Sequence, residues 1–352
     1  MQALTVQPKT AESLGVEDVA DPRRPPDELL VDGLAIGVCG TDKEIVSGEY
    51  GCPPKGRDRL ILGHESLGRV AEAPAHSGFR EGDLVVGVVR RPDPVPCAAC
   101  RHGEFDMCRN GRYTERGIKE RDGYGSQRWT VETEFAVAID PALEAVGVLM
   151  EPTTVVAKAW EQVHRVGQRG YFDPRRALIT GAGPIGLLAA LLGIQHGLDT
   201  HVLDRVTNGP KPAIVEALGA TYHADDIDDV TAKLNPDVII EATGAAPVVF
   251  GAIAGTATCG IVCLTGVSPA GRRLRIDAGS LNRELVLEND AVFGSVNANL
   301  RHYRQAAVAL ASADKDWLAS LITRRVPLHR AAEAFTEQPD DVKVIITLDS
   351  DR

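Results

Sequence analysis

The sequence predicts an α/β protein of two domains, one β-rich and one built on a doubly wound parallel sheet. Three observations carry that prediction. A length of 352 residues exceeds what one ordinary core needs. The first 150 or so residues hold short β-type runs punctuated by glycine and proline. From about Thr153 strands and helices alternate, which implies a parallel sheet wrapped by helices.

The elements follow in order. Leu29–Ala35, Gly68–Ala71 and Asp83–Val89 read as strands. Thr153–Val166 reads as a helix. Ala177–Thr180 is a short apolar strand, and Pro184–Gly197 an apolar helix whose proline sits in the first turn, where its missing N–H costs little. Strands at Thr200–Leu203, Asp237–Ile240 and Ile261–Leu264 alternate with helices at Lys211–Leu218 and Pro247–Ala254. The last 50 or so residues turn mixed again, with a strand at Val344–Leu348. The expected division is therefore 1–152 with 295–352 for the β-rich domain and 153–294 for the dinucleotide-type domain.

Apolar residues make up 44% and charged residues 25%, enough for two cores. A net charge of −11 excludes the basic surfaces that nucleic acid or an anionic membrane requires. The start, MQALTVQPKT, carries no basic end followed by an apolar run, so no signal peptide is expected. The apolar stretch Ala177–Gln195 is long enough to span a membrane, but its glycines and proline fit a different role. Of seven cysteines, Cys97, Cys100 and Cys108 crowd together, which points to a metal rather than disulfides and to a cytoplasmic protein. Cys52, Cys259 and Cys263 read as free thiols, the last two buried on a strand.

Gly181-Ala-Gly183-Pro184-Ile185-Gly186 fits G-x-G-x-x-G between a strand and a helix, the dinucleotide (Rossmann) fingerprint. Gly181 permits the tight turn, Gly183 the approach of a pyrophosphate, and Gly186 close packing of helix on strand. The helix N-terminus offers free N–H groups to the phosphates. Asp204, at the end of the next strand, is placed to accept the adenosine ribose hydroxyls, which favours NAD. Arg205 is able to clamp a 2′-phosphate instead, so NADP stays open. Thr243, Gly244, Thr265, Gly266 and Val267 close later strands where a cofactor passes.

Three distant motifs complete the picture: Cys39-Gly-Thr41-Asp, Gly-His64-Glu65 and Met-Glu151-Pro. Together they supply the thiolate, imidazole and carboxylate that an open zinc site takes. This ordered set, with a cysteine lobe and the glycine turn, resembles the zinc-containing medium-chain dehydrogenases over nearly the whole chain. The resemblance implies a GroES-like catalytic domain, catalytic zinc on Cys39, His64 and Glu151, and Glu65 as a carboxylate that ligates directly or holds the zinc-bound water. It also implies Thr41 as the hydroxyl that passes the substrate proton. The ion would lower the pKa of a substrate hydroxyl, with hydride passing to the nicotinamide.

Cys97, Cys100 and Cys108 resemble the family's structural-zinc lobe, with Pro94 where a fourth cysteine is expected. Asp93 is the nearest substitute ligand; Asp106, His102 and Glu115 are others. Arg90-Arg91-Pro92, Thr114–Ile118 and Phe293–Asn297 resemble stretches of microbial glucose dehydrogenases. That likeness implies Glu115 and Asn297 as sugar contacts, and Ser295 and Asn297 beside the nicotinamide. Oxidation of an aldose, D-glucose above others, to its lactone is the leading expectation. A polyol, secondary-alcohol or amino-alcohol dehydrogenase is the alternative among enzymes, and a non-catalytic metal-binding interaction protein the alternative of another class. The resemblance further implies a homodimer or homotetramer.

Overall fold

The computed structural model describes residues 1–269, 271 and 273–348. The chain folds into two compact units, Met1–Thr154 with Ala298–Arg352, and Val155–Asn297.

The first unit is built on a seven-stranded sheet. The long strand Glu28–Val38 lies at its centre, antiparallel to Glu65–Glu72 on one side and to Lys343–Thr347 on the other, and Arg128–Glu132 also pairs with it. Most of it is buried, Leu29, Val31 and Ile36 almost wholly, while Glu28, Asp32 and Leu34 are only partly covered. Val344 pairs with Val38, so Lys343 arrives beside the end of the central strand.

The second unit is a six-stranded, wholly parallel sheet. Its spatial order is Thr221–His223, Asp199–Leu203, Arg176–Thr180, Val238–Glu241, Ile261–Leu264, Ala291–Gly294. The chain order reverses between Arg176–Thr180 and Val238–Glu241, the point at which such sheets bind ligands. Leu178, Ile239 and Val262 share a core with Val230 and Ala252 from the covering helices. The apolar stretch Ala177–Gln195 resolves into the strand Arg176–Thr180 and the helix Pro184–Gln195. Among the described residues no helix is long and apolar enough to cross a membrane. The fold is thus α/β, a GroES-like β-rich unit with a Rossmann unit.

The helices that escaped the sequence patterns include Ala278–Glu288, Leu300–Ser312 and Lys315–Leu321. Each is started by a side chain that accepts backbone N–H groups, from Asp277, Asn299 and Asp314 respectively. One thiol is also corrected. Cys263 is buried on its strand, but Cys259 is exposed at φ 62, in the turn before it.

Candidate active site

Cys39 follows the central strand Glu28–Val38 and caps the short helix Gly40–Val46. Glu65 opens the neighbouring strand Glu65–Glu72, and His64 directly precedes it. They are delivered by Gly63 at φ 92, where an added Cβ would press on Ile36 and the Gly125 amide. Only glycine enters that conformation without strain. The ligand atoms of Cys39, His64 and Glu65 lie within 4.8 Å of one another, with His64 Nε2 3.1 Å from Cys39 Sγ.

Asp42 holds this cluster in shape. Its Oδ2 accepts the Cys39 N–H at 3.0 Å, and its Oδ1 lies 3.2 Å from His64 Nδ1. A carboxylate behind the imidazole fixes which ring nitrogen faces the site, the arrangement found behind metal-bound histidines. Burial alone would lower the His64 pKa, but the Asp42 charge and the Cys39 sulfur raise it well above the ordinary value. Burial would likewise raise Asp42, but His64 and the Cys39 amide hold it below the usual carboxylate range.

Behind Glu65 stands Lys343, itself fully buried. Its ammonium makes an ion pair with Glu65 Oε2 and donates to Val38 O at 3.0 Å. The room for this pair comes from Gly37, where an added Cβ would sit 1.8 Å from Glu65 Oε2. Glu151 begins the helix Met150–Gly167 and stands outside the tightest cluster. It is near enough for its carboxyl to be pushed up to about 7, first by burial and then by the charges of Glu65 and Asp42, with His64 and Lys343 opposing. Thr41 lies half-buried on the short helix.

The donor set suits zinc: one sulfur, one imidazole nitrogen and the Glu65 carboxylate converge, and among the described residues the cluster holds no fourth donor. The Cys39 sulfur and the His64 imidazole meet at 3.1 Å with an oriented carboxylate behind the ring, the kind of donors a divalent cation would take in place of their mutual contact.

The cysteine lobe brings Cys97, Cys100 and Cys108 within the same 4.8 Å. The carboxylates named as fourth ligand have other partners. Asp93 accepts from the Val95 N–H and from Asn110 Nδ2, both at 2.8 Å, and pairs with Arg112. Asp106 accepts from Asn299 Nδ2 at 2.6 Å. His102 is exposed. Glu115 is buried rather than solvated, and its Oε1 accepts two bonds from Arg90 at 3.1 and 2.9 Å.

In the parallel-sheet unit the glycine turn behaves as its pattern demands. Gly181 is at φ 94; a Cβ on Gly186 would lie 1.7 Å from Gly181 O; a Cβ on Gly183 would meet nothing within 4 Å. The first two positions need glycine for the turn and its packing, and the third leaves the helix N-terminus open to an anion. A cavity of about 560 Å³ opens there, lined by Gly181, Gly183, Asp204, Arg205 and Thr243 among others. Pro184, Ile185, Gly244, Thr265, Gly266, Val267, Ser295 and Asn297 do not line it. Gly244 and Gly266 instead pack on each other: a Cβ on Gly266 would sit 2.2 Å from Gly244 N. The fully buried Glu241 ties them together, accepting from the Thr243 and Gly244 amides with its side chain and from Thr265 and Gly266 with its carbonyl. Ser295 is buried, and Asn297 follows at φ 62.

Fold and donor set define a zinc-type, nicotinamide-dependent medium-chain dehydrogenase. Residues 25–141 match the alcohol dehydrogenase GroES-like domain, and residues 144–348 match the glucose dehydrogenase C-terminus. The chain belongs to the glucose dehydrogenase family. It is similar to the glucose 1-dehydrogenase of Methanocella arvoryzae, 41% identical over 99% of both chains. It is also similar to that of Thermoproteus tenax, 39% identical over 98% of this chain and 99% of the relative. Among solved structures, Haloferax mediterranei glucose dehydrogenase in complex with NADP, Zn and gluconolactone matches with a TM-score of 0.91. It is 32% identical, over 99% of this chain and 100% of that one.

Proposed function

We propose that this chain oxidises D-glucose at C1 to the lactone, with NAD or NADP as the hydride acceptor and zinc as the catalytic metal. The observation that carries the reading is the convergence of Cys39, His64 and Glu65 within 4.8 Å, in a chain alike over its whole length to a glucose dehydrogenase structure bearing NADP, Zn and gluconolactone. When bound, zinc supplies Lewis-acid polarisation of the C1 hydroxyl, and the nicotinamide supplies the hydride acceptor.

The chain's own residues do the rest. Cys39 and His64 hold the metal, together with Glu151 or Glu65. Asp42 fixes the His64 ring, and Lys343 fixes the Glu65 carboxylate. Thr41 takes the proton from the C1 hydroxyl and passes it towards solvent. The hydride leaves C1 as the C–O double bond forms, giving lactone, reduced cofactor and one proton. Glu115, steadied by Arg90, and Asn297 are the proposed contacts for the remaining sugar hydroxyls, which would be costly to bury without partners. Gly183, Pro184 and Ile185 form the phosphate turn. Asp204 and Arg205 take the adenosine ribose, while Thr243, Gly244, Thr265, Gly266, Val267 and Ser295 shape the remaining cofactor path.

For the lobe, we propose that any zinc held by Cys97, Cys100 and Cys108 takes its fourth ligand from solvent, since Asp93 is already spent on Val95, Asn110 and Arg112. A cytoplasmic setting belongs to the same reading, because cysteines clustered as metal-type ligands suit a reducing compartment better than a disulfide framework does. So does assembly as a homodimer or homotetramer. Among the described residues the strand Ala291–Gly294 has no further strand beyond it at the sheet edge, and the helix Ala278–Glu288 exposes Val286 and Leu287.

The test is formation of reduced cofactor from glucose, galactose, xylose, sorbitol, threonine and butanediol with either dinucleotide. Glucose should lead the panel, and chelation should remove the activity. Turnover of sorbitol or butanediol with none on any aldose would reassign the substrate.

A further inference from the structure

We propose that the ion pair between Asp204 and Lys211 admits a dinucleotide carrying a 2′-phosphate, and that Arg205 is the cation that meets the phosphate. The inference rests on the reading of the cavity as the adenosine site, and names what decides between its two possible occupants.

An acidic residue at the end of the second strand ordinarily excludes NADP, because its charge faces the 2′-phosphate. Here that carboxylate already has a cation against it. Asp204 Oδ2 accepts the Ala182 N–H of the glycine turn at 2.7 Å and the Lys211 ammonium at 3.1 Å, while Oδ1 accepts the Val206 N–H at 3.2 Å. Burial pulls Asp204 upward, but these contacts hold it below the ordinary carboxylate range. These contacts favour the charged form of Asp204, with the Lys211 cation against it.

Lys211 stands in the first turn of the helix Pro210–Ala217 and lines the same cavity. Arg205 is exposed on its rim. Asp225 and Asp226 also line the cavity, so its acidic side is not weak, and Lys211 pairs with the Asp204 carboxylate. With Lys211 in place a phosphate meets a compensated Asp204 and an Arg205 fork; without it, the phosphate meets an uncompensated carboxylate. Arginine is the better of the two cations for direct contact, since its planar fork matches phosphate oxygens in pairs.

The test needs no sugar. Dissociation constants for NADPH and NADH are measured by nicotinamide fluorescence on the full chain, wild type and variants. Far-UV circular dichroism and the thermal midpoint of each preparation serve as its folding control. In wild type both dinucleotides bind. In Lys211→Met the preference for NADPH over NADH falls by roughly ten- to a hundredfold, the size of one uncompensated charge near the phosphate. Asp204→Asn added to Lys211→Met restores the preference, because no charge is left to compensate. Arg205→Ala lowers it in either background.

An unchanged ratio in Lys211→Met overturns the proposal. A fall that Asp204→Asn does not restore overturns it as well, since Lys211 would then touch the phosphate itself. An unchanged ratio in Arg205→Ala removes Arg205 from its role. Wild type that binds neither dinucleotide defeats the underlying reading of the cavity, an outcome distinct from each of these.

Discussion

Two clusters of three metal-type ligands lie in the same unit, and they are built in opposite ways. Around Cys39, His64 and Glu65 the protein has placed charged partners and then buried them: Asp42 behind His64 and Lys343 behind Glu65, each at most 2% exposed. Around Cys97, Cys100 and Cys108 it has placed backbone amides and left the sulfurs half-exposed. The first is a preorganised site, whose ligands keep their geometry because their own partners are fixed. The second is a loop whose shape is held by Asp93, Asn110 and main-chain bonds, so a metal there has less to organise. Equal spacing of ligand atoms does not make equal sites.

Substitutions sharpen this contrast, from the largest effect down. Cys39→Ala should lower kcat/KM for glucose on the order of 10³-fold or more, because a metal-ligand thiolate is lost. NADPH fluorescence titration should still show binding; parallel loss of binding would make Cys39 a structural residue. Lys343→Met should destabilise the fold by roughly 3–5 kcal/mol, because it strands the buried Glu65 charge. Adding Glu65→Gln should recover most of that loss in denaturant unfolding, and no recovery would break the pairing argument. Asp42→Asn should cost roughly ten- to a hundredfold in metal affinity, the usual scale for the partner behind a ligating histidine. An unchanged affinity in a competition titration with a chelator would remove Asp42 from the site.

The lobe gives a smaller, pH-dependent signal. The amides of Arg109 and Cys100 pull the Cys97 thiol down to about 6, while burial pushes Cys100 up to about 11. Only the thiolate alkylates, so in metal-stripped protein Cys97 should react with iodoacetamide increasingly as pH rises through about 6, and Cys100 should stay slow at neutral pH. Peptide mapping by mass spectrometry reads the sites. Equal rates for the two, or a Cys97 midpoint near that of a free thiol, would contradict the geometry.

The sequence made some of this legible and hid the rest for physical reasons. The glycine turn is local: strand, turn and helix are contiguous, so Gly181, Gly183 and Gly186 declare themselves by spacing. Cys39 and His64 come together through pairing of Glu28–Val38 with Glu65–Glu72, and only the family resemblance joined them in advance. Asp42 was visible as a letter of the Cys-Gly-Thr-Asp motif, but its contact with His64 was not. Lys343 gave only the signal of one charge heading the apolar run Val344–Thr347. Its meeting with Glu65 depends on a register set some 300 residues away in sequence, between Val344 and Val38. The ion pairs that spend Asp93 and Asp204 were equally out of reach, since each joins a loop to a side chain on another turn.

The most direct test is anomalous diffraction at the zinc edge, on crystals of the protein purified with zinc. A strong peak within bonding distance of Cys39 Sγ and His64 Nε2, with Glu65 or Glu151 as the third protein donor, is the predicted result. A peak in the cysteine lobe alone, or none beside Cys39, would contradict the assignment of these residues as the centre of the chemistry.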